Sequence, residues 1–408
     1  MDSDRPRLLV LASTFPRWGG DTEPRFVERL SYELAGSFDV VVLAPHTRGA
    51  KRQETMASNG RSIEVRRFRY FPERFETLAY DGGMLSRVRR NPLRLLVLPF
   101  FLVAQAVAAA RLQREFVFDA VHAHWIVPQG FVTAVLGTFW RSLPPVLVTS
   151  HGGDLYALRG SVLRSVKRWV LSRAAAVTVV SNAMREHCIE HRLAPDKVTV
   201  QSMGVDLSHE FTPGDPESPR DGLVFVGRLV EKKGVEYLIE AMAILAPEYP
   251  QLVLTIVGDG PLRDELVQLA DARGVSERVR FVGSVVNEEV PGYLRAAAIS
   301  VMPSIVAASG DQEGLGLVAV EAQGCGCAVV ASDLPAVRDS VVDGQTGLMA
   351  RPCDAAHLAE QIKRLLDDGA LRQSLAESGR RYALETFDWS RVGASYASII
   401  GGLVKAAR

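Results

Sequence analysis

The sequence has few of the features that mark specialised protein classes. Only four of its 408 residues are cysteines and no C-x-x-C pair occurs, so we predict neither a disulfide framework nor a zinc ribbon. Reduced thiols in a cytosolic protein are expected instead. Lys and Arg number 47, as do Asp and Glu, which gives a formal net charge of +0. This balance provides no general attraction to nucleic acid, and we predict no nucleic-acid partner.

The N-terminal segment also lacks several motifs. The run MDSDRPRLLVLAS is too short and too acidic at its start for a signal peptide, and we interpret it as the first strand. No G-x-G-x-x-G follows that strand, because ASTFPRWGGD stands in its place, which disfavours a dehydrogenase. The only D-x-D string, Asp2 to Asp4, follows no strand and is not interpreted as a metal site.

Short apolar runs alternate with helical patterns along most of the chain. Runs bounded by Gly, Pro, His or Ser are typical of strands buried on both faces of a parallel sheet. The segment VEYLIEAMAIL repeats its apolar residues at helical spacing. The predicted strands are LLVLA, VVVLA, AVHAH, VLVTS and AVTVVS, then GLVFVG, LVLTIVG, VRFVG, ISVMP and AVVAS. This alternation predicts an α/β fold.

The alternation is interrupted at HEFTPGDPESPRDG, where prolines, glycines and charges replace the apolar periodicity. We therefore predict two doubly wound, Rossmann-like domains, residues 1–209 and 210–389, that face each other across a cleft, with a terminal helix over 390–408. Domains of this kind bind ligands at the carboxyl ends of their strands.

Two cations follow the first strand of the second half. In LVFVGRLVEKKG, Arg228 comes directly after the strand and Lys233 stands at the start of the next helix. Two cations beside helix N–H groups suit a diphosphate. The alternative is a solvated basic turn.

A second anion site is predicted in GDQEGLGLVAVEAQGCG. Gly314 and Gly316 allow a ligand to approach the backbone closely, and the helix that begins near them contributes its positive end. Glu313 precedes the helix, and Glu321 lies within about one turn of its N-terminus, near enough to reach a sugar beside a bound phosphate. Alternatively, Glu321 is an ordinary glutamate on the helix surface.

The spacing of Glu313 and Glu321, together with VGRLVEKKG and GCGCAVVASDLPAVRDSVVDGQTGLM, resembles glycosyltransferase family 4. The resemblance covers nearly the whole chain. It implies the two-domain GT-B fold, a nucleotide-sugar donor, retention of configuration and a terminal helix that crosses back onto the first domain. The spacer SIVAASGDQEG resembles members that act in bacterial exopolysaccharide and lipid-linked oligosaccharide synthesis, for which a glycan or polyprenyl-linked acceptor is expected.

The resemblance also implies roles for single residues. Arg228 and Lys233 would stabilise the leaving diphosphate, and Glu321 would accept hydrogen bonds from the ribose hydroxyls. Cations and amides already in place are most effective where charge develops, so we expect no metal cofactor. The leaving phosphate oxygen would take the acceptor proton on the same face, without a protein nucleophile. The residues implied to hold the donor sugar and phosphate are Glu313, Gly314, Leu315, Gly316 and Leu317.

The loop TFPRWGGD carries Gly19 and Gly20 ahead of a helix predicted from about Pro24. Family members use a glycine loop here to approach the donor phosphates. A plain turn between a strand and a helix fits these residues equally well.

Three histidines lie at strand ends in the first half. His151 and Asp154 follow a strand in SHGGD, and the resemblance makes His151 a donor contact and Asp154 a polar partner near the reacting centre. His122 and His124 share one strand face, but a metal site would need a third ligand of defined geometry. We interpret His122 as packed. The residues predicted on the acceptor side are His124, Trp125 and Gln129.

A basic and apolar segment, residues 87–110, lies within RVRRNPLRLLVLPFFLVAQAVAAARLQREF. Arg94 and Pro99 interrupt it, so its apolar core is short against the roughly 20 residues of a transmembrane helix. One interpretation is peripheral docking onto anionic lipid at the inner face of the cytoplasmic membrane. The other is a buried core helix with a solvated basic flank.

Two other functions share this architecture. A nucleotide-sugar epimerase would need a base at the sugar carbon and no acceptor, and a nucleotide-binding regulator would act without turnover. Base and sugar recognition are expected in the loops Gly283 to Pro291 and Ser304 to Asp311, whose sequences do not identify the ligand.

Overall fold

The computed structural model describes residues 5–19, 21, 23–80, 83–140, 142–156, 158, 160–215 and 217–408. The chain forms two compact units. The first comprises Met1–Val180, Met184–Gly204 and Trp389–Arg408, and the second comprises Ser181–Ala183 and Val205–Asp388. The main division follows Gly204 rather than residue 209, because Leu207 and Phe211 pack against Gly324 of the second unit.

The first unit is built on one sheet of eight strands. The strands are β1 (Arg7–Leu11), β2 (Asp39–Pro45), β3 (Gln53–Ser58), β4 (Arg61–Phe68), β5 (Ala120–His124), β6 (Val146–Ser150), β7 (Ala176–Val179) and β8 (Val198–Val200). They lie in the order β3-β4-β2-β1-β5-β6-β7-β8, and the neighbours are parallel except for the edge hairpin β3–β4. The carboxyl ends of β1, β5 and β6 therefore meet at one edge of the sheet.

The second unit is built on a fully parallel sheet of six strands. The strands are β9 (Leu223–Val226), β10 (Leu254–Val257), β11 (Val279–Gly283), β12 (Ile299–Met302), β13 (Ala328–Ser332) and β14 (Leu348–Ala350). They lie in the order β11-β10-β9-β12-β13-β14, and Phe225, Ile256 and Val330 lie in the buried core of this unit. The central pair, β9 and β12, brings the segments after Val226 and Met302 together.

Helices cover both sheets. They are α1 (Phe26–Leu34), α2 (Met84–Arg90), α3 (Leu98–Glu115), α4 (Phe131–Phe139), α5 (Gly153–Tyr156), α6 (Ser161–Arg173), α7 (Asn182–Glu190), α8 (Val235–Leu245), α9 (Arg263–Ala272), α10 (Val290–Ala296), α11 (Leu317–Gly324), α12 (Ala355–Asp367), α13 (Gly369–Phe387) and α14 (Trp389–Ala407). The terminal helix α14 packs on α1 of the first unit, where Gly393 meets the side chain of Glu33.

The alternation of strands and helices is confirmed. Every strand predicted from an apolar run is present, and VEYLIEAMAIL is α8. Strands β3, β4, β8 and β14 were not predicted. The side chains of β3 are all at least partly exposed, charged residues separate the apolar ones in β4, and β8 and β14 have three residues each, so none of these strands produces a long apolar run.

Candidate functional site

In the second unit, the turn between β9 and α8 positions the two predicted cations. Arg228 follows the strand and is half-buried, and Lys233 ends a 3₁₀ helix, Glu231–Lys233. Gly234 then starts α8 with φ 60°, and a side chain there would collide with the carbonyl of Pro303. Only glycine fits this position, and it allows the chain to turn sharply there. The turn places Lys233 at the carboxyl edge of the sheet.

Lys233 is paired with one of the predicted carboxylates. Its ammonium nitrogen lies 2.7 Å from Oε1 of Glu313, and both side chains are almost buried. Burial alone would raise the pKa of Glu313, but the charges of Lys233 and Lys232 outweigh it, and the pKa lies below its usual value. Glu313 is therefore ionised at neutral pH. Lys232, which was not predicted as a site residue, forms an ion pair of 3.3 Å with Asp311.

The backbone around Gly316 completes this site. Gly316 has φ 82° and stands directly before α11, and a Cβ there would lie 2.9 Å from Cε of Met302. The first N–H groups of a helix have no partner within it, so those after Gly316 form an anion-binding end. Gly314 and Leu315 connect this end to Glu313, and Leu317 is the first residue of the helix. The structure thus brings the predicted glycine segment and Glu313 together.

Glu321 lies in the second turn of α11 and is partly buried. Burial, with a smaller contribution from the charge of Glu210, raises the pKa of Glu321 to about 7. A carboxyl held in this way is uncharged for part of the time at neutral pH. Hydroxyl groups that donate to it would stabilise its charged form.

In the first unit, the glycine loop after β1 is braced by charges. Arg17 contacts Asp21 through two N–H···O bonds of 2.8 and 2.7 Å, and the backbone N–H of Arg17 donates to Asp21 as well. The guanidinium also lies over the ring of Trp18. These contacts join Arg17 to residues on both sides of Gly19. Gly19 is exposed within it, and Gly20 lies outside the described residues.

The three histidine rings contact one another in series. His124 Nδ1 lies 3.0 Å from His151 Nε2, and the two nearly parallel rings, with centroids 5.2 Å apart, meet edge to edge, while the centroid of the His122 ring lies 4.1 Å from that of His124. Burial lowers the pKa of His122 and of His151 to about 3, and it lowers that of His124 well below 6.5. All three rings are therefore neutral at pH 7. His122 is packed, with Nε2 2.8 Å from the Thr149 hydroxyl.

Two residues predicted on the acceptor side have no exposed surface. His124 is 0% exposed and lies behind His151, and Gln129 is also 0% exposed. With its amide oriented so that both groups are satisfied, Gln129 donates to the carbonyl of His124 and accepts from the N–H of Ser13 at 3.0 Å. Both residues therefore brace strand ends, and the acceptor-side prediction for them is corrected because neither reaches a surface. Trp125 is partly exposed.

Asp154 links two strand ends. One carboxylate oxygen accepts from the N–H of Ile126 at 2.6 Å and the other accepts from the Ser150 hydroxyl at 2.8 Å. Burial outweighs these bonds, so the pKa of Asp154 is raised. This geometry makes Asp154 a brace between the loops after β5 and β6. It follows His151 by three residues in the chain.

A cavity of about 360 Å³ opens beside these strand ends. Ser13 and Thr14 after β1, Trp125 after β5, and Gly153 and Asp154 after β6 form part of its wall. The rest is apolar and consists of Leu78, Gly83, Met84, Val88, Leu95, Leu98, Val127, Pro128 and Leu158. This cavity was not predicted from the sequence because its walls come from separate segments, although several wall residues lie in the basic and apolar segment.

The segment Pro92–Glu115 is long and apolar enough to span a membrane by length and composition, with a mean hydropathy of 2.0. A core helix of a soluble protein can pass the same test, but only 17% of this segment is buried. The interpretation as a buried core helix is therefore wrong. Phe101, Gln105, Ala109 and Leu112 form its buried stripe. Its exposed apolar residues, here called the apolar face, are Leu93, Leu95, Leu96, Phe100, Val103 and Val107.

No group of three or more His, Cys, Asp or Glu side chains in the described part of the chain has an arrangement that could hold a metal ion. The three histidine rings illustrate the reason. His124 Nδ1 contacts His151 Nε2 and His122 Nε2 contacts the Thr149 hydroxyl, whereas His122 Nδ1 and His124 Nε2 are buried without a hydrogen-bond partner among the described residues, and the rings do not form a set of ligands for one ion.

Comparison with known proteins identifies relatives along the whole chain. Residues 24–209 match the family described as Glycosyltransferase Family 4, and residues 213–382 match Glycosyl transferases group 1. A glycogen synthase from Mycobacterium tuberculosis is 31% identical over 292 residues, which are 69% of this chain and 68% of that protein. A GDP-mannose-dependent alpha-(1-6)-phosphatidylinositol monomannoside mannosyltransferase from Mycolicibacterium smegmatis is 27% identical over 97% of this chain and 98% of its own.

A solved structure supports the fold. Sucrose-phosphate synthase from Thermosynechococcus elongatus superimposes with a TM-score of 0.76 at 23% identity, covering 98% of this chain and 100% of that one. The predicted GT-B fold is confirmed by this similarity.

Proposed function

Because this chain belongs to glycosyltransferase family 4, we propose that it transfers a hexose-type sugar, with retention of configuration, from a nucleoside-diphosphate sugar to a glycan or lipid-linked acceptor. The observation that carries this proposal is the Lys233–Glu313 ion pair at the segment that leads into α11. The relative from M. smegmatis, which matches over nearly its whole length, is named for a nucleotide-sugar donor and a glycolipid acceptor.

The second unit has the groups that a sugar diphosphate requires. Lys233 and Arg228 supply positive charge, and the N-terminus of α11 supplies N–H groups after Gly316. Glu313 carries negative charge and accepts hydrogen bonds from sugar hydroxyls, whereas the neighbouring Lys233 attracts the diphosphate. The two side chains of the pair therefore bind different parts of the ligand. Glu321 accepts from the ribose. Charge that develops on the leaving diphosphate is stabilised by groups that are already oriented, and this transfer needs no metal.

Retention follows from a transfer on one face of the sugar. The bond from the anomeric carbon to the diphosphate oxygen breaks as the acceptor oxygen approaches from the same side. The departing phosphate oxygen takes the acceptor proton, so the proton and charge balance without a protein nucleophile. His151, neutral because burial lowers its pKa to about 3, would hydrogen-bond the donor sugar through its ring, and Asp154 holds the loop that carries it.

The apolar face suits a protein that works at the inner surface of the cytoplasmic membrane. Between residues 82 and 114 the sequence has no Asp or Glu and includes arginines at 87, 89, 90, 94, 111 and 114. Leu93 and Leu96 are 71% and 70% exposed beside them. Apolar insertion and attraction to anionic lipid then act on the same segment. We therefore propose a cytoplasmic enzyme that docks peripherally through this segment.

Donor binding is tested by calorimetry with UDP, GDP, ADP and their sugars, first without metal and then with magnesium. We expect one nucleoside diphosphate to bind equally well in both conditions, and the changes Arg228→Ala and Glu321→Ala to weaken it at least tenfold. Arg273→Ala, at an exposed arginine directly after α9, is the control. Absence of binding by every nucleotide would contradict the proposal, as would an inverted linkage in the NMR coupling of the product.

Membrane docking is tested by flotation with vesicles of phosphatidylcholine alone and with added phosphatidylglycerol. Leu93→Ser with Leu96→Ser should abolish flotation, whereas Val117→Ser, an exposed apolar residue outside the segment, should leave it unchanged. Equal flotation with and without phosphatidylglycerol would show that the arginines attract no lipid.

A further inference from the structure

Most of the residues that line the cavity of the first unit are apolar. Met84, Val88, Leu95 and Leu98 line it from α2, the 3₁₀ helix Pro92–Val97 and α3. A water-soluble sugar buried against this wall would lose hydrogen bonds to water without replacement. A hydrocarbon chain loses none and gains from burial in proportion to its area. The wall therefore favours a ligand with an apolar chain.

Leu95 joins the cavity to the protein surface. It lines the cavity and is also 50% exposed as part of the apolar face. Leu93 and Leu96, on either side of it along the chain, are exposed to a greater degree. An apolar chain can therefore pass from the apolar face into the cavity along continuous apolar side chains.

The polar part of the wall lies where the strands end. Ser13 and Thr14 contribute hydroxyl groups after β1, and Trp125 contributes a partly exposed aromatic ring after β5. Hydroxyl groups and an aromatic ring are suited to the polar edges and the apolar face of a sugar. The cavity thus has two ends of different chemistry, one apolar and one suited to a sugar.

The segment that opens the cavity is positively charged. Arg87 and Arg90 lie on α2 with Met84 and Val88, and Arg94 comes directly before Leu95. A lipid that carries phosphate between its chain and its sugar matches this order of apolar and cationic groups.

We infer that this cavity binds the acceptor lipid itself, with the apolar chain next to the phosphate held among Met84, Val88, Leu95 and Leu98 and the sugar directed to Ser13, Thr14 and Trp125. The inference rests on the proposed function, because it assigns a place to the acceptor of that reaction. It goes further in one respect, since the lipid is removed partly from the bilayer and is bound by the protein as a ligand.

The first experiment uses alkyl phosphates of four, eight and twelve carbons as probes, below the concentration at which they form micelles. Affinity should rise by about fourfold for each buried CH₂ until the cavity is full. A dodecyl phosphate with a diazirine near the phosphate should label α2, Leu98 or Val127 on irradiation. Labelling confined to Leu96, Val103 and Val107 would overturn the inference, because it would show adsorption to the apolar face alone. Full competition by inorganic phosphate, without dependence on chain length, would also overturn it.

A matched pair of substitutions separates the cavity from the face. Val88→Trp fills the cavity, and Val103→Trp adds the same side chain to the apolar face outside it. Val88→Trp should weaken dodecyl phosphate binding at least tenfold and leave vesicle flotation unchanged. Val103→Trp should leave both intact. If Val88→Trp binds the probe like the unchanged protein, the cavity is not the site.

Nucleotide binding keeps the two proposals distinguishable. Both tryptophan variants should bind the nucleoside diphosphate like the unchanged protein, which also shows that they are folded. If no nucleotide binds but the alkyl phosphates still label the cavity, the proposed transfer fails and the lipid site stands. If nucleotides bind and the chain-length dependence is absent, the lipid site fails alone. The labelling and chain-length results need no variant, so misfolding of Val88→Trp would not remove the test.

Discussion

The ammonium nitrogen of Lys233 lies 2.7 Å from Oε1 of Glu313, and the two side chains keep only 14% and 11% of their exposure. One residue comes from the turn after β9 and the other from the segment before α11. The pair therefore ties together two loops that the proposed donor would contact.

Removing one partner of this pair should lower the stability of the protein more than removing both. Lys233→Met leaves the carboxylate of Glu313 almost buried without its nearest positive charge, and it should lower stability by about 3 kcal/mol. The double variant Lys233→Met with Glu313→Gln should regain much of that loss. Urea unfolding followed by fluorescence measures both.

Lys232→Met is the matched control, because its pair with Asp311 is longer, at 3.3 Å, and more exposed. It should cost about 1 kcal/mol or less. Equal losses for Lys232→Met and Lys233→Met would show that burial does not distinguish the two pairs.

Glu321 should make stability and nucleotide binding depend on pH in opposite directions. Its pKa is raised from 4.5 to about 7, so the folded chain keeps a proton that the unfolded chain releases between these values. Stability from this group is therefore complete below pH 4.5 and is lost as the pH rises to 7. Glu321→Gln should melt higher than the unchanged protein at pH 8 and at the same temperature at pH 4.5.

The ionisation of Glu321 should also change the affinity for the nucleotide. If the charged carboxylate accepts from the ribose, affinity should be about tenfold weaker at pH 6 than at pH 8, and Glu321→Gln should remove this dependence. Calorimetry at both pH values measures it, with exposed Glu265→Gln as the control. A dependence that persists in Glu321→Gln would assign it to another group.

Gly316 should tolerate no side chain. A Cβ there would lie 2.9 Å from Met302 in addition to the strain of φ 82°, whereas Gly344, with φ 68°, has no atom within 4 Å of the position of a Cβ. Gly344→Ala should cost about 1 kcal/mol from strain alone. Gly316→Ala should cost about 3 kcal/mol and abolish nucleotide binding, because the start of α11 must move. Thermal unfolding and calorimetry compare them.

His124 should act on transfer only through His151. Asparagine places an amide near the position of Nδ1, so His124→Asn keeps a partner for His151 Nε2, whereas His124→Phe removes it. We expect transfer to fall at least tenfold in the phenylalanine variant and to recover partly in the asparagine variant, with nucleotide affinity unchanged. Nitrogen NMR of the ring tautomers is the second measurement. A merely structural role would lower stability equally in both variants without changing the tautomer of His151.

Local pattern was sufficient for most of the fold. The apolar runs that predicted β1, β5, β9 and β12 are buried on both faces of the sheet. Strands buried in this way consist of consecutive apolar residues, which can be recognised in the sequence. The hairpin β3–β4 has no comparable apolar run, because β3 is an exposed edge strand held by backbone pairing.

The residues of the candidate site could be predicted from the sequence, but the contacts between them could not. The spacing of Glu313 and Glu321 indicated two carboxylates at one helix, yet the pair between Glu313 and Lys233 joins residues far apart in sequence, which only the order of β9 and β12 brings together. The fully buried positions of His124 and Gln129 depend on loops packed over the strand ends, and no local pattern contains that information.

The two ends of the second unit lie side by side. Val205 and Asp388 form a parallel bridge, with the N–H of Val205 donating to the carbonyl of Phe387 at 2.8 Å, and the neighbouring Gly204 packs on Trp389 in the first unit. Apart from Ser181–Ala183, the second unit is thus a single continuous insertion between Gly204 and Trp389 of the first unit, and the chain enters and leaves it at adjacent points. An exchange of residues 205–388 would therefore change the sequence of the second unit and leave that of the first unit intact on both sides.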